Sequence, residues 1–271
     1  MSERIQKLLA NAGVASRRSI EEMVRQGRVA INGKVVTQLP ILVDRQRDAI
    51  TIDGEAVRLR HRQSARLVYL LMNKPRGVYS TNVAQGAQTR AIDLLPPDFP
   101  ARVYPVGRLD ADAKGLLLLT NDGELTNRLT HPRYDVSKTY RAVVDGFVKP
   151  SDLQKLQKDV WLADKGGHGF KTGRSHIKVA RRSRDRSVLE ITIREGRNRE
   201  VRRMLARLGH KVRDLTRIRM GPLTLAGLSP GQFRPLTSRE IRELQQAAKP
   251  RAALRSDADA SDTDPSDADG E

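Results

Sequence analysis

The sequence contains no cysteine, which excludes disulfide bonds, thiolate zinc sites and cysteine nucleophiles. Aromatic residues are scarce as well, with one tryptophan, five tyrosines and four phenylalanines among 271 residues. Hydrophobic residues make up 38% of the chain, enough for a real core in one or two domains. A helical metal pair needs histidines four residues apart, and that spacing does not occur among His61, His131, His168, His176 and His210. We therefore expect no metal centre.

Long apolar runs are also missing. The longest nearly unbroken run, residues 67–72, is far too short to cross a membrane. The N-terminus opens directly onto a helical pattern and has no recognisable signal peptide. These features predict a cytoplasmic protein without a membrane partner.

What the chain has in excess is positive charge. Lys and Arg number 50 against 32 Asp and Glu, a net charge of +18. Residues 256–271 hold seven of the acids and no base, so residues 1–255 carry 50 bases and 25 acids, or +25. Such an excess of positive charge over residues 1–255 favours a polyanionic partner, of which nucleic acid is the commonest.

Residues 1–60 are interpreted as a compact module. Apolar residues at helical spacing from Ile5 to Ala12 predict a first helix, and Ser16 is a plausible N-cap for a second one. Asn32-Gly33 and Asp53-Gly54 lie between short apolar segments and are typical of tight hairpin turns. The module should contain two short helices and a few strands.

Basic side chains accumulate on these two helices, and they are either a solvated face or a nucleic-acid contact. The candidates are Arg4, Lys7, Arg17, Arg18, Arg25 and Arg28. The module resembles the αL RNA-binding domain named after ribosomal protein S-four, through Arg4-Ile5-Gln6-Lys7-Leu8-Leu9, Ala15-Ser16-Arg17-Arg18 and Gly27-Arg28-Val29-Ala30-Ile31-Asn32-Gly33. The resemblance implies that the helix pair binds structured RNA.

A basic, non-periodic linker at 61–66 is expected to lead into a larger domain at 67–245, followed by a disordered acidic tail at 246–271. Within the domain we predict strands at 67–73, 116–120, 140–144, 177–180 and 188–194, and helices at 124–129, 150–158 and 199–208. The glycine-rich stretch 164–174 lacks a Walker-type phosphate motif and predicts a basic hairpin loop that contacts RNA.

The most informative motif is Gly107-Arg108-Leu109-Asp110, which leads through Gly115 into the apolar strand Leu116-Leu117-Leu118-Leu119. A short loop beside a rigid strand can hold a polar side chain at the mouth of a pocket. Taken alone, however, the aspartate could simply cap a turn.

Further motifs occur in order along the domain: Asn73-Lys74-Pro75-Arg76-Gly77, Lys138-Thr139-Tyr140, Glu195-Gly196-Arg197-Asn198-Arg199-Glu200-Val201-Arg202-Arg203-Met204 and Arg217-Ile218-Arg219-Met220-Gly221-Pro222-Leu223. Together with the Asp110 motif they resemble the RsuA-type family of ribosomal RNA pseudouridine synthases over residues 2–245. The resemblance implies an α+β protein, in which the small RNA-binding domain precedes a catalytic domain with a bent, mostly antiparallel mixed sheet flanked by helices.

The activity implied by this resemblance is isomerisation of uridine within RNA. The bond from ribose to N1 of uracil breaks, the base turns, and a bond from ribose to C5 forms. No atom is gained or lost, so the reaction implies neither a cofactor nor a metal.

The resemblance also assigns roles to individual residues. Asp110 matches the catalytic aspartate, Tyr140 the tyrosine placed against the target base, and Arg202 the cation that pairs with the aspartate. Arg108 matches an arginine that fills the gap left by the extruded uridine. Arg197 and Arg199 are interpreted as RNA-phosphate contacts or surface charge.

Two alternatives remain open at this point. A ribosome-assembly protein without catalytic activity would share the charge and the N-terminal module, but has no need of Asp110, Tyr140 and Arg202 together. Within the family, the residue pattern of 195–204 and 217–223 favours large-subunit rRNA over small-subunit rRNA as the substrate. The expected partner is rRNA, free or in an assembling particle, and the expected state is a monomer. A DNA-binding regulator would need a dimeric recognition helix, for which no sequence pattern was found.

Overall fold

The structure is a computed structural model that describes residues 2–57, 59, 66–158, 160–163, 169–225 and 227–249. The chain divides into two compact units, residues 1–66 and 67–271, which are described separately below. The linker predicted at 61–66, except Arg66, and most of the tail predicted at 246–271 lie outside the described residues.

The first unit contains β1 (Ser2–Arg4), α1 (Ile5–Asn11), α2 (Arg17–Arg25), β2 (Val29–Ile31), β3 (Lys34–Val36), β4 (Leu42–Asp44), β5 (Ile50–Ile52) and β6 (Glu55–Ala56). Four strands form a sheet in the order β3-β2-β5-β6, and β1 pairs with β4. The core is formed by the inner faces of both helices and these strands, including Ile5, Leu9, Ile20 and Val29. Two helices and short strands are what the sequence predicts for this module.

The predicted helix cap and the predicted tight turn of this unit both occur. The Ser16 hydroxyl accepts a hydrogen bond from the backbone N–H of Ser19 and caps α2. Asn32 and Gly33 have φ values of 50° and 80°, the left-handed pair that a tight turn between β2 and β3 requires.

The second unit contains β7 (Tyr69–Lys74), β8 (Tyr104–Pro105), β9 (Lys114–Thr120), α3 (Gly123–Thr130), β10 (Lys138–Asp145), α4 (Pro150–Gln157), β11 (Trp161–Ala163), β12 (Gly169–Lys171), β13 (His176–Arg182), β14 (Arg186–Ile193), α5 (Glu200–Arg207), β15 (Val212–Met220), β16 (Leu223–Thr224), β17 (Phe233–Pro235) and α6 (Ser238–Ala247). Short 3₁₀ helices cover Ala91–Leu94 and Pro132–Tyr134. The predicted strands and helices of this unit all occur, with ends that differ by a few residues. Helix α6 was not predicted, and it runs past the expected domain end at 245.

One large sheet organises this unit, with the strand order β13-β14-β10-β15-β9-β7-β17. Strand β16 also pairs with β15, and β8 with β9. All pairs are antiparallel except β15 with β9, which join in parallel at Thr216↔Lys114 and Arg217↔Gly115. The predicted α+β class with a mostly antiparallel mixed sheet is thus confirmed.

The sheet separates two hydrophobic cores. Leu117 and Leu119 of β9 belong to one core, which also receives α4 and α5 through Leu156 and Met204. Leu116 and Leu118 point to the other core, shared with α3 and α6. A strand buried on both faces reads as a continuous apolar run, which explains the four consecutive leucines. Within the described part of the chain, no helix is long and apolar enough to span a membrane.

Candidate active site

Asp110 lies on the loop that leads into β9, and close backbone packing fixes this loop. At Gly115, φ is 106°, and an added Cβ would overlap the backbone oxygen of Arg217. Only glycine therefore allows β9 to approach β15 at this point. Arg217 is 3% exposed, and its Nε donates to the Leu116 carbonyl at 2.7 Å, which ties the two strands together. The Gly77 N–H donates to the Ala111 carbonyl at 2.7 Å and holds the loop from the other side.

A second loop, residues 196–199, faces Asp110 from the start of α5. Arg199 adopts a left-handed φ of 48°, an unusual value for a non-glycine residue. The Glu200 carboxylate accepts the N–H groups of Gly196 and Arg197 at 2.9 and 2.8 Å. Glu200 is 3% exposed, and burial raises the pKa of its carboxyl. Glu200 thus folds the loop that carries Arg197 and Arg199.

Tyr140 comes from β10, where it lies between Ile191 of β14 and Arg217 of β15. The register of β10 against β15 shifts between Thr139 and Tyr140, so the strand bends at this residue. The side chain is 8% exposed and lines the same cavity as Asp110. Strand and loop therefore bring a phenol and a carboxylate to one site.

The cavity has a volume of about 360 Å³. That value is within the range of small-ligand pockets, about 300–1,000 Å³, and suits a single nucleotide better than a larger group. Its walls combine charged, polar and apolar residues. The lining residues are Gly107, Arg108, Leu109, Asp110, Ala113, Tyr140, Ile193, Gly196, Arg197, Asn198, Arg199, Glu200, Val201 and Leu215.

The cations near Asp110 differ from the sequence-based expectation. Arg199 Nη1 lies 3.4 Å from Asp110 Oδ2. The same guanidinium also donates to both oxygens of Asp112, at 3.1 and 3.2 Å. Arg202 was expected to pair with Asp110, but its Nη2 lies 3.2 Å from Asp112 Oδ2 and its Nη1 donates to the Val212 carbonyl at 3.1 Å. The left-handed backbone at Arg199 turns that side chain toward the cavity. Arg202 instead lies within α5, and its hydrogen bond to the Val212 carbonyl holds its guanidinium in place.

The two arginines set the protonation of Asp112. Burial alone would raise the pKa of Asp112, but hydrogen bonds from Arg199 and the charge of Arg202 outweigh it, so the pKa lies below its ordinary value. Burial lowers the pKa of the Arg202 guanidinium, while hydrogen bonding to Asp112 raises that of Arg199. Asp112 is therefore ionised at neutral pH and holds both cations beside Asp110.

Two buried lysines, Lys74 at the end of β7 and Lys138 at the start of β10, lie near the loops of the cavity. Lys74 is fully buried, and its ammonium donates to the carbonyls of Pro75 and Val78 at 2.9 and 2.7 Å. Lys138 is 7% exposed beside the carbonyls of Arg194 and Glu195. Burial lowers the pKa of each lysine to about 8. Both ammonium groups hold loops that lead to the cavity.

The remaining sequence-predicted residues occupy several surroundings. Arg108 is exposed at the cavity wall. Arg197 also lines the cavity, where its Nε donates to Glu195 at 2.7 Å. Arg199, predicted to be an RNA-phosphate contact or surface charge, lies within ion-pair distance of Asp110 and Asp112.

Three of the six basic residues singled out in the N-terminal unit have carboxylate partners. Lys7 lies 3.7 Å from Glu3, Arg25 lies 3.1 Å from Glu22, and Arg28 binds Asp53 through two hydrogen bonds. The other three are exposed, and within residues 2–57 no carboxylate lies within ion-pair distance of Arg4, Arg17 or Arg18.

Sequence reasoning missed the contributions of Asp112, Glu200 and Lys74. Asp112 stands two residues after Asp110 in the same short loop, which is a visible signal for a second carboxylate at the site. Glu200 begins a helix directly after a glycine-containing loop, a position where an acid commonly binds free amides. Lys74 lies in an apolar strand, and nothing in the sequence indicates what its ammonium contacts.

The different surroundings of Arg199 and Arg202 lead to a testable difference. We expect Arg199→Gln to lower the rate of the reaction at this site by about 10- to 100-fold, the loss of one charge-assisted hydrogen bond, without changing stability. We expect Arg202→Gln to lower both the rate and the free energy of unfolding, the latter by about 1–3 kcal/mol, since it removes the charged donor from the half-buried Asp112 carboxylate and Val212 carbonyl.

Single-turnover rates and urea unfolding of both variants test this expectation. An unchanged rate in Arg199→Gln would contradict a direct role for this cation. Unchanged stability in Arg202→Gln would contradict its structural contacts.

Fold and site together define an RNA-modifying enzyme: a small module with basic helices is joined to a mixed sheet that carries a carboxylate, a phenol and several arginines in one cavity. Comparison with known proteins agrees. Residues 68–207 match the RNA pseudouridylate synthase family, and residues 3–44 match the S4 domain.

Relatives are similar over nearly their whole length. The chain is 42% identical to the ribosomal large subunit pseudouridine synthase B of Bacillus subtilis (strain 168), across 91% of this chain and 97% of that protein. It is also 42% identical to an uncharacterized RNA pseudouridine synthase of Aquifex aeolicus (strain VF5), across 91% and 95%. A crystal structure of a pseudouridylate synthase superposes with a TM-score of 0.63 at 29% identity, covering 89% of this chain and 99% of that one. The chain belongs to the RNA pseudouridylate synthase family, in its RsuA-type branch, and is an RNA pseudouridine synthase.

Proposed function

We propose that the protein converts a uridine of large-subunit ribosomal RNA into pseudouridine, with Asp110 as the catalytic aspartate. The observation that carries this proposal is the convergence of Asp110, Tyr140 and Arg199 on one cavity of about 360 Å³. The large subunit is favoured because the Bacillus subtilis relative named for that subunit is 42% identical over 91% of this chain.

The chemistry centres on the ribose. The bond from C1′ to N1 breaks, the bond from C1′ to C5 forms, and the proton lost from C5 is balanced by one gained at N1. The Asp110 carboxylate can attack C1′ as uracil leaves and depart again as C5 bonds to C1′. Alternatively, it can remove the C2′ proton as uracil leaves, which gives a glycal, and return that proton to C2′ as C5 bonds to C1′. Both routes need a carboxylate in the cavity. Arg199, 3.4 Å from Asp110, keeps a positive charge beside it and aims it.

Tyr140 supports the base. Its ring forms a largely buried wall of the cavity, so uracil can stack on it. Its hydroxyl is proposed to take part in transferring the C5 proton, since C5 must lose a proton after the new bond has formed. Arg202 acts one step away, through Asp112.

Arginines at the cavity wall suit the capture of a base from structured RNA. A stacked uridine must leave the helix before its glycosidic bond can be reached, at a cost of a few kcal/mol. Arg108 is exposed at the wall and is proposed to occupy the space left by the uridine. Arg197 is proposed to bind a neighbouring phosphate.

The proposed assignment places catalysis in residues 67–245 and RNA anchoring in residues 1–60. The proposed catalytic residues are Asp110 and Tyr140, Arg202 supports them through Asp112, and the proposed functional unit is a monomer. We propose that this monomer acts on rRNA, free or in an assembling particle, in the cytoplasm. Transcripts of large- and small-subunit rRNA, treated with the protein and mapped for pseudouridine, test the substrate. Modification of the small-subunit transcript alone would overturn the large-subunit assignment.

The anchoring role predicts a change in salt dependence. Arg17→Gln combined with Arg18→Gln should weaken RNA binding and lower the slope of log K against log salt by about 1–2, because each phosphate contact contributes about 0.7–0.9. Filter binding at several salt concentrations measures this slope.

The matched control is Arg25→Gln with Arg28→Gln, because those two cations already have carboxylate partners. The control should change the slope less. Equal slopes for the wild-type protein and the Arg17, Arg18 variant would exclude these residues as phosphate contacts.

A further inference from the structure

A short hairpin, β11 and β12, presents one aromatic residue outward. Its strands pair Trp161 with Lys171 and Leu162 with Phe170. Alternate residues of a strand face opposite sides, so Leu162 and Phe170 share the inner face while Trp161 and Lys171 share the outer one. Leu162 is 3% exposed, whereas Trp161, the single tryptophan of the chain, is 54% exposed.

The indole of Trp161 is held in place on one side. A Cβ built at Gly169 would overlap the indole atoms Cε2, Cζ2 and Nε1, so the ring lies directly against the backbone of the opposite strand. Gly169 is absent from the positive-φ glycines of the described chain, so the room for the ring is the reason that the structure offers for glycine here. About half of the Trp161 surface remains accessible to solvent. An ordered, half-exposed aromatic ring is a pre-formed stacking surface.

The inner face of the hairpin connects to the catalytic cavity. The guanidinium of Arg197 lies 4.1 Å from the centroid of the Phe170 ring, and that of Arg203 lies 5.1 Å from it. Arg197 also lines the cavity that holds Asp110. The inner face of the hairpin therefore borders the cavity through Arg197, and Trp161 lies on the opposite face of the same hairpin.

Exposed cations on and after the hairpin supply the positive charge that binding a nucleic-acid strand requires. Lys171 stands across from Trp161, and Arg174 follows it as a further exposed cation. The neighbouring edge strand β13 exposes Lys178 and Arg181. Aromatic rings within basic grooves are how proteins bind unpaired nucleotides, because every base has a face that stacks.

We propose that Trp161 and Lys171 form a stacking subsite for an unpaired nucleotide of the substrate RNA, outside the cavity on the outer face of the hairpin. This subsite deepens the proposed function and rests on it, because the occupant is the same RNA strand. The indole supplies the stacking face, and the lysine supplies a charge for the adjoining phosphate. The subsite holds RNA in place and takes no part in the bond changes.

Tryptophan fluorescence offers a direct test, because Trp161 is the sole tryptophan. We expect single-stranded oligoadenylate to quench the emission of Asp110→Asn protein, which binds RNA without turnover, and duplex RNA of equal length to quench it much less. Saturation of RNA binding without any fluorescence change would overturn the proposal.

Kinetics provide the second test. Trp161→Ala should raise KM for large-subunit rRNA about 5- to 100-fold, the range of a lost base–aromatic stack, with an unchanged single-turnover rate at saturating RNA. Trp161→Phe should restore most of the affinity. The matched control is Phe147→Ala, which removes another exposed aromatic that lies beside an arginine, 5.6 Å from Arg182, and should leave KM unchanged.

These outcomes separate the subsite from the proposed function. If the wild-type protein isomerises uridine but Trp161→Ala has an unchanged KM, the subsite is wrong and the function stands. If Trp161→Ala lowers the saturated rate and Trp161→Phe does not restore it, the residue has a structural role and the subsite is also wrong. Absence of isomerisation by the wild-type protein contradicts the function itself, whatever the fluorescence shows.

Discussion

Asp110→Asn should abolish isomerisation and leave RNA affinity almost unchanged. The amide keeps the size of the side chain but can neither attack the ribose nor accept a proton from it. We expect the single-turnover rate to fall by at least about 10³-fold, the scale seen when a group at the reacting atom is removed. Affinity should persist because it depends on cations elsewhere on the protein. Pseudouridine content after nuclease digestion measures the rate, and filter binding measures the affinity.

Asp145→Asn is the matched control for this variant. Asp145 lies at the far end of β10 from Tyr140 and binds Arg213 at the surface, where an ion pair contributes little. Its loss should leave the rate unchanged. A loss of RNA binding in Asp110→Asn, with the rate at saturating RNA preserved, would mean that Asp110 binds the substrate without acting on it.

Tyr140→Phe should lower the single-turnover rate by about 100-fold or more, the lower range for a group that transfers a proton. The ring remains, so stacking of the base and KM should change little. Tyr140→Leu removes the ring as well, and we expect KM to rise in addition. Rates measured over a range of RNA concentrations separate the two effects.

Tyr134→Phe serves as the control for loss of a phenol outside the cavity. Tyr134 belongs to the 3₁₀ helix Pro132–Tyr134 and is absent from the residues that line the cavity. If Tyr140→Phe retained the wild-type rate, the hydroxyl would have no part in proton transfer, and Tyr140 would act by stacking alone.

Local structure could be predicted from the sequence wherever a short-range signal determines it. Ser16 caps a helix as expected, and Asn32-Gly33 form the expected left-handed turn. The consecutive leucines of β9 were predicted as an apolar strand, and burial on both faces of the sheet explains the run. Thr237 and Glu240 form a capping box at the start of α6, a readable signal that sequence analysis did not use.

Contacts between distant segments were harder to predict. The parallel pairing of β9 with β15 depends on the fit of Gly115 against Arg217, two residues about one hundred positions apart. The resemblance of the α5 motif to the family led to Arg202 as the predicted partner of Asp110. A backbone φ of 48° at Arg199 reverses that choice, and no sequence pattern indicates it.

Release of tritium from uridine labelled at carbon 5 tests the central claim most directly. Formation of a bond at C5 must expel that hydrogen, so the intact protein should release one equivalent of tritium per modified site from unmodified large-subunit rRNA. Asp110→Asn protein should release none. Absence of release by the intact protein from rRNA, both free and in precursor particles, would contradict the account.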